Sequence, residues 1–189
     1  MYNILLSLAR KILKSGFEPD VIVGVSRGGW VPARVLCDLL GAPSLASIGV
    51  AFYDGVGKAG RRPMVTQPLT VGVLGKKVLV VDEVADTGES LKLAREQVVK
   101  EGAKEVRTVT MYTKPWSIVE PDFHEKKTSS WVVFPWETKE TIQSVAKDSK
   151  RILKKGLDDL QHARLSARRA QRFLNKILAE KCKASQSEP

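Results

Sequence analysis

The sequence has few of the residues that build disulfide scaffolds and zinc sites. Its 189 residues include two cysteines, Cys37 and Cys182, and two histidines, His124 and His162. Cys37 falls within a helical pattern and Cys182 lies near a polar end of the chain. We therefore expect neither a disulfide framework nor a structural zinc site.

Long apolar runs are missing as well. No stretch approaches the roughly 20 apolar residues that are needed to span a bilayer. The N-terminal segment, MYNILLSLARKILKSG, gathers its apolar residues on one helical face and lacks a small-residue cleavage site, which is typical of an amphipathic helix rather than a signal peptide. We expect a soluble cytoplasmic protein with no membrane partner.

Two familiar phosphate-binding motifs are also absent. The dinucleotide fingerprint G-x-G-x-x-G fails because Gly24 is followed two positions later by Ser26. The Walker A pattern fails because Lys58 is followed by Ala59 instead of Ser or Thr. The run VLVVDE would suit a Walker B strand, so the missing P-loop weakens the hypothesis of a nucleoside triphosphatase.

What is abundant is positive charge, and it is unevenly spread. The formal net charge is +10, and residues 138–189 hold 13 Lys/Arg against 6 Asp/Glu. In this segment apolar residues recur at three- and four-residue steps beside a row of cations, as on a long helix. We predict a core domain at 1–137 and a basic helical extension at 138–189. The extension would pack on the core or on a neighbouring subunit, with nucleic acid as a less favoured partner.

Residues 1–137 alternate helical and strand patterns. Such alternation predicts an α/β fold, a mostly parallel twisted sheet flanked by helices. The expected elements are helices at 2–14, 30–40 and 88–100, and strands at 21–25, 46–53, 78–81, 106–112 and 130–134. The glycine- and cation-rich stretch DGVGKAGRRPMVTQPLT is expected to be a mobile loop. It would be either a solvated hairpin or a lid that closes on an anionic substrate.

The most informative stretch is KVLVVDEVADTGES, at 77–90. Its apolar run predicts a buried parallel strand, and Asp82 and Glu83 follow where open α/β sheets bind ligands. Asp86 and a small polar turn come next, at the start of a predicted helix, where free N–H groups favour a phosphate. A second anion site is expected in the loop between the first strand and the second helix, where Gly28 and Gly29 permit close backbone approach and Arg27 adds charge.

With these motifs assembled, the chain resembles the type I phosphoribosyltransferases. VLVVDEVADTGES is similar to that family's phosphoribosyl pyrophosphate (PRPP) signature, and VGVSRGGWVPARVLCDLLG resembles the pyrophosphate loop of its xanthine-guanine branch. TKPW and SSWVVFPWE are similar to the base-binding region of microbial and archaeal purine enzymes. The resemblance covers about residues 1–137 and leaves the extension unexplained.

The resemblance implies a role for each motif. Asp82 and Glu83 would bind the ribose hydroxyls of PRPP, directly or through Mg²⁺, the implied cofactor and metal. The 5′-phosphate would be held by the turn that follows: Ala85, Asp86, Thr87, Gly88, Glu89 and Ser90. Pyrophosphate would be bound by the earlier loop, which often contains a strained or cis peptide in this family, and by nearby cations: Ser26, Arg27, Gly28, Gly29, Lys58, Arg61 and Arg62.

The purine end of the site is implied in the same way. Lys114 would contact the exocyclic group at C6, Trp131 would stack on the ring, and Val132 would touch the C2 edge through its backbone. Asp86 would handle the proton at N7. The implied catalytic residues are Asp86, Arg27 and Lys58. Without the resemblance, Trp131 could be a core aromatic residue and Lys114 a surface lysine.

The expected activity is therefore purine salvage. PRPP and a 6-oxopurine (hypoxanthine, guanine or xanthine) would give a nucleoside 5′-monophosphate and pyrophosphate, in a homo-oligomeric enzyme. A lysine can only donate a hydrogen bond, which favours a 6-oxo group over the amino group of adenine. Two alternatives stay open, namely an adenine phosphoribosyltransferase of the archaeal type and a non-catalytic RNA-binding regulator on the same fold.

Overall fold

The computed structural model describes residues 1–53 and 62–141. The chain divides into two compact units, residues 1–129 and 130–189. In chain order the elements are α1 (Tyr2–Lys14), β1 (Val21–Ser26), α2 (Trp30–Leu40), β2 (Leu45–Tyr53), β3 (Arg62–Gln67), β4 (Lys77–Ala85), α3 (Glu89–Lys100), β5 (Glu105–Thr113), β6 (Phe123–Lys127) and a 3-10 turn (Pro135–Glu137).

The strands form one sheet in the order β3-β2-β1-β4-β5-β6. Neighbouring strands are parallel except for β2 and β3, which are antiparallel. From β1 the chain first builds outward through β2 and β3, and it then returns to build β4, β5 and β6 on the other side. The predicted mostly parallel α/β sheet is confirmed, and its strand order reverses between β1 and β4.

Apolar side chains cover both faces of the central strands. Val21, Val23 and Val25 of β1 share a core cluster with Leu91 and Val98 of α3. Alternation along a strand sends the intervening residues, such as the fully buried Ile22, to the opposite face, where α1 and α2 pack against each other. Near-continuous burial of β1 and β4 is what a parallel sheet covered on both faces requires.

Helices α1 and α2 have the predicted bounds. In α1 the buried residues are Leu5, Leu8, Ala9 and Ile12, spaced at three and four. Helix α2 ends at Gly41, whose φ of 63° is the left-handed conformation that favours glycine after a helix. In the described part of the chain, no helix is long and apolar enough to cross a membrane.

The last strand was predicted at the wrong place. Residues 130–134 form no strand, and the edge strand is β6, at Phe123–Lys127. Polar contacts replace the missing apolar pattern: the Asp122 carboxylate accepts hydrogen bonds from the backbone N–H and the hydroxyl of Thr108, both at 2.7 Å. Lys11 of α1 forms a 2.8 Å ion pair with Glu125.

The glycine- and cation-rich stretch also differs from the expected loop. Residues 62–67 form β3, which pairs antiparallel with β2, as the hairpin alternative requires. The loop prediction is wrong for these six residues. Residues 54–61, with Lys58 and Arg61, lie outside the described residues, and so does the helix predicted for the C-terminal extension beyond 141.

Candidate active site

A cleft opens where β1 and β4 separate. The two strands pair from Val21 and Val78 up to Gly24 and Val81. Beyond that point β1 continues to pair only with β2, and β4 pairs only with β5, through to Ala85. Strand β4 continues four residues beyond its predicted end because β5 continues to provide a pairing partner. The cleft has a volume of about 420 Å³ and is lined by Phe52, Asp82 and residues 84–91.

The loop after β1 lies directly against the acidic residues of β4. A side chain at Gly29 would overlap the carbonyl oxygen of Val81, and one at Gly28 would overlap the carboxylate of Glu83. The Gly29 N–H donates to the Val25 carbonyl at 2.9 Å. The peptide bond between Ser26 and Arg27 is cis, as the family resemblance implied. Two motifs more than fifty residues apart thus form one site, at the point where the strand order reverses.

The turn between β4 and α3 has the geometry of an anion site. Gly88 is left-handed, with φ of 84°, and a side chain there would lie 2.6 Å from the Ser117 hydroxyl. The first helical bond of α3 runs from Lys92 N–H to the Gly88 carbonyl, at 3.0 Å. The earlier N–H groups of the first turn therefore have no helical acceptor, and they lie at the positive end of the helix dipole. A phosphate fits such a turn.

The connection after β5 contacts the same turn. The Lys114 N–H donates to the Ala85 carbonyl at 3.0 Å, and the Ile118 N–H donates to the Thr87 carbonyl at 2.9 Å. Lys114 is buried, with an exposed fraction of 6%. The indole N–H of Trp116 donates to Asp86 Oδ1 at 2.9 Å. Two predicted site residues, Asp86 and Lys114, are thus brought to the same end of the sheet.

Trp116 is the residue that sequence reasoning missed. It belongs to the TKPW motif, but no role was expected for it. The Lys114 ammonium lies 5.5 Å from the centre of its ring. Phe52, which is 42% exposed at the cleft, was also missed. Both residues lie about 30 positions from the acidic turn in the sequence, so no local pattern indicated them.

The other predicted site residues that the structure describes belong to three further segments of the chain. Arg27 is exposed in the loop after β1, and Arg62 is the exposed first residue of β3. Trp131 and Val132 belong to the second unit, outside any strand, and Trp131 is 59% exposed.

The acidic pair suits a hard cation that is coordinated by both the protein and a substrate. Glu83 is 7% exposed, and its backbone N–H donates to Asp82 Oδ1 at 2.8 Å. Among residues 1–53 and 62–141 no group of three or more His, Cys, Asp and Glu could hold a metal alone. Two adjacent carboxylates fit Mg²⁺, which usually takes few protein ligands and completes its octahedron with water and substrate oxygens.

Comparison with known proteins identifies the class. Residues 1–143 match the family described as phosphoribosyl transferase domain. The chain therefore belongs to the phosphoribosyltransferase family and is a pentosyltransferase with the type I fold.

Individual relatives narrow the family further. The purine phosphoribosyltransferase structure from Pyrococcus horikoshii is 41% identical, with a TM-score of 0.66 over 71% of this chain and 87% of that one. The xanthine-guanine phosphoribosyltransferase of Gluconobacter oxydans is 30% identical over 62% of this chain and 68% of its own. That of Idiomarina loihiensis is 31% identical over 61% and 70%.

Proposed function

We propose that this protein is a purine phosphoribosyltransferase that transfers the 5-phosphoribosyl group of PRPP to a 6-oxopurine, producing a nucleoside 5′-monophosphate and pyrophosphate for purine salvage. The observation that carries the proposal is that the loop after β1 lies against the acidic residues of β4, which lead directly into the turn that opens α3. PRPP is a molecule with a phosphate at one end, a diphosphate at the other and two hydroxyls between them. The relatives named above act on purines, which supports the choice of acceptor.

PRPP would span the two loops. Residues Thr87–Ser90 would bind the 5′-phosphate with free N–H groups and hydroxyls, since the turn opens α3. Asp82 and Glu83 would accept hydrogen bonds from the ribose hydroxyls. Ser26–Gly29 would bind the diphosphate because Gly28 and Gly29 hold this loop against the acidic pair. Lys58, Arg61 and Arg62 are proposed to add positive charge around the diphosphate.

The reaction breaks the bond between C1 of the ribose and the diphosphate oxygen, and it forms a bond from C1 to N9 of the purine. The ribose ring gains positive character as the diphosphate leaves with the electron pair. Backbone dipoles of the loop and the Arg27 guanidinium would stabilise the leaving anion, a contribution that grows toward the transition state. Asp86 would accept the hydrogen bond, and finally the proton, at N7.

The purine would be selected at its C6 edge. The buried Lys114 has three donors and no acceptor, so it matches an O6 oxygen and not the amino group of adenine. Trp131 is proposed to stack on the purine, and Val132 to contact its C2 edge through the backbone. Neither the donor capacity of Lys114 nor the proposed stacking by Trp131 favours adenine or RNA. Both alternatives are therefore outcomes of the test.

Three further properties belong to the proposal. Mg²⁺ would be held by Asp82, Glu83 and PRPP oxygens, where it would act as a Lewis acid on the diphosphate. The low cysteine content supports a cytoplasmic location. The exposed apolar residues Tyr2, Leu13 and Trp30, on or next to the mutually packed α1 and α2, support a homo-oligomer.

The test is pyrophosphate release from PRPP and Mg²⁺, measured in parallel with hypoxanthine, guanine, xanthine and adenine. We expect release, with formation of the matching nucleoside monophosphate, for at least one 6-oxopurine and a much lower kcat/KM for adenine. A preference for adenine would contradict the assignment of Lys114. Absence of release with all four bases, together with tight RNA binding, would support the non-catalytic alternative.

A further inference from the structure

Trp116 contacts both side chains that are proposed to bind the purine, Asp86 and Lys114. Its indole N–H donates to Asp86 Oδ1 at 2.9 Å, across 30 positions of sequence. Its ring lies under the Lys114 ammonium, 5.5 Å from the ring centre. One side chain therefore connects the acceptor proposed for N7 with the donor proposed for O6.

Burial does not explain the position of this side chain. Trp116 is 54% exposed, so more than half of its large apolar surface remains in water. A tryptophan in a core gains most of its stabilisation from the area it removes from water. The contacts of Trp116 with Asp86 and Lys114 are consequently its most specific interactions.

Backbone hydrogen bonds hold Trp116 at a fixed distance from Asp86. The backbone N–H groups of Lys114 and Ile118 donate hydrogen bonds to the carbonyls of Ala85 and Thr87, which lie on either side of Asp86. Within the segment, the Ser117 N–H donates to the Lys114 carbonyl at 3.1 Å. The tryptophan lies midway along a segment that is fastened at both ends to the turn carrying its partner.

The hydrogen bond leaves one carboxylate oxygen of Asp86 for the substrate. Asp86 is exposed on a turn, where a short side chain is otherwise free to rotate. Trp116 takes Oδ1, and in the part of the chain that the structure describes Oδ2 has no protein donor. A carboxylate oriented before the purine arrives loses less freedom at the moment of reaction.

We propose that Trp116 is a positioning residue for the transfer reaction, which orients Asp86 through its indole N–H and Lys114 through the face of its ring. Asp86, the proposed acceptor for the N7 proton, and Lys114, the proposed donor to O6, are thereby held in position before the base binds. The inference rests on the proposed function. It adds Trp116 to the residues proposed to act in the transfer, and it assigns a separate contribution to each of the two contacts of Trp116.

Two substitutions separate the two contacts. Trp116→Phe keeps an aromatic face for Lys114 but removes the N–H donor. We expect kcat/KM for the purine to fall about tenfold, the size of effect typical of a lost hydrogen bond to a charged group, while KM for PRPP stays unchanged. Trp116→Leu removes both contacts, and we expect it also to weaken the preference for 6-oxopurines over adenine. Ile118→Ala, a 62% exposed side chain in the same segment, is the matched control and should behave as wild type.

A double-mutant cycle tests whether Trp116 acts through Asp86. In an Asp86→Asn background, Trp116→Phe should cost little further kcat/KM, because the group it orients is already impaired. An equal loss in both backgrounds would overturn the positioning role. So would a Trp116→Phe enzyme with wild-type kcat/KM, or one with a raised kcat, since the indole would then be competing with the purine for Asp86.

A readout without turnover separates this inference from the proposed function. The indole N–H resonance of Trp116, assigned by its loss in Trp116→Phe, should shift in Asp86→Asn. An active wild-type enzyme whose resonance does not shift would overturn the inference. A wild-type protein that releases no pyrophosphate with any base but shows the shift would overturn the proposed function and support the Trp116–Asp86 hydrogen bond.

Discussion

Gly29 makes the tightest contact between the loop after β1 and the backbone of β4, and its replacement by alanine is a sharp test of that junction. The added Cβ would overlap the Val81 carbonyl oxygen and would lie 2.7 Å from the Val25 carbonyl oxygen and 3.0 Å from Asp82 Cα. All three atoms belong to the backbone of β1 or β4. A sheet backbone cannot move aside as a flexible side chain can.

The size of the effect follows from these contacts. Inserting a methyl group into a packed region costs about 1–3 kcal/mol, and obstruction by strand backbone on both sides favours the upper end of that range. The loop can relieve the overlap only by moving away from β4, which would also shift the proposed diphosphate site. We expect Gly29→Ala to lower the free energy of unfolding by about 2–3 kcal/mol and the affinity for PRPP by at least about tenfold.

Urea unfolding gives the stability, and titration with PRPP and Mg²⁺ gives the affinity. The control is Gly72→Ala, because a Cβ at Gly72 would meet no atom within 4 Å and its φ is ordinary. Control and wild type should agree in both measurements. If Gly29→Ala matched the wild type in stability and in PRPP affinity, the inferred contact between the loop and β4 would be refuted.

Two other substitutions probe contacts of different kinds. In Gly28→Ala the added Cβ meets the carboxylate end of Glu83, which can rotate away; we expect PRPP affinity to fall while the urea midpoint changes little, and a large midpoint change would contradict this. The hydrogen bond from Lys11 is the main cause that lowers the pKa of Glu125, against the opposing effect of burial. This stabilisation is present above the unfolded pKa of about 4.3 and is lost as pH falls through the folded value. Lys11→Met also removes the hydrogen bond from Lys11 to the His124 carbonyl, which is lost at every pH. The ion pair should add at most about 1 kcal/mol to the destabilisation near neutral pH and nothing near about pH 2, so an equal loss in urea unfolding at both pH values would refute the ion pair.

The elements with strong apolar periodicity were predictable from the sequence. The bounds of α1 and α2 agree with the prediction because both helices bury a regular apolar face and end at residues that stop helices. Strand β4 was predicted for its apolar run but not for its last four residues. Their pairing with β5 is a tertiary fact that a local pattern does not contain.

Strand β6 was not predictable for a related reason. The segment FHEKK has no alternating pattern of apolar residues. Its strand conformation comes from backbone pairing with β5 and from polar contacts at Asp122 and Glu125. Residues 130–134, richer in β-formers, form no strand. Propensity is a weak guide where tertiary contacts decide.

The candidate site also has features that a local sequence pattern can indicate and features that depend on tertiary contacts. The two loops proposed to bind anions are local motifs, so the sequence alone could suggest them. Their contact through Gly28 and Gly29, and the hydrogen bond from Trp116 to Asp86, depend on which loops the strand order brings together.

The central claim is that one PRPP molecule spans both loops, and a crystal structure of the protein with PRPP and Mg²⁺ tests it most directly. We predict that the 5′-phosphate lies against Thr87–Ser90, at the start of α3, with the diphosphate against Ser26–Gly29 and the ribose hydroxyls toward Asp82 and Glu83. A diphosphate bound at the start of α3, or PRPP bound away from the β1–β4 cleft, would contradict it.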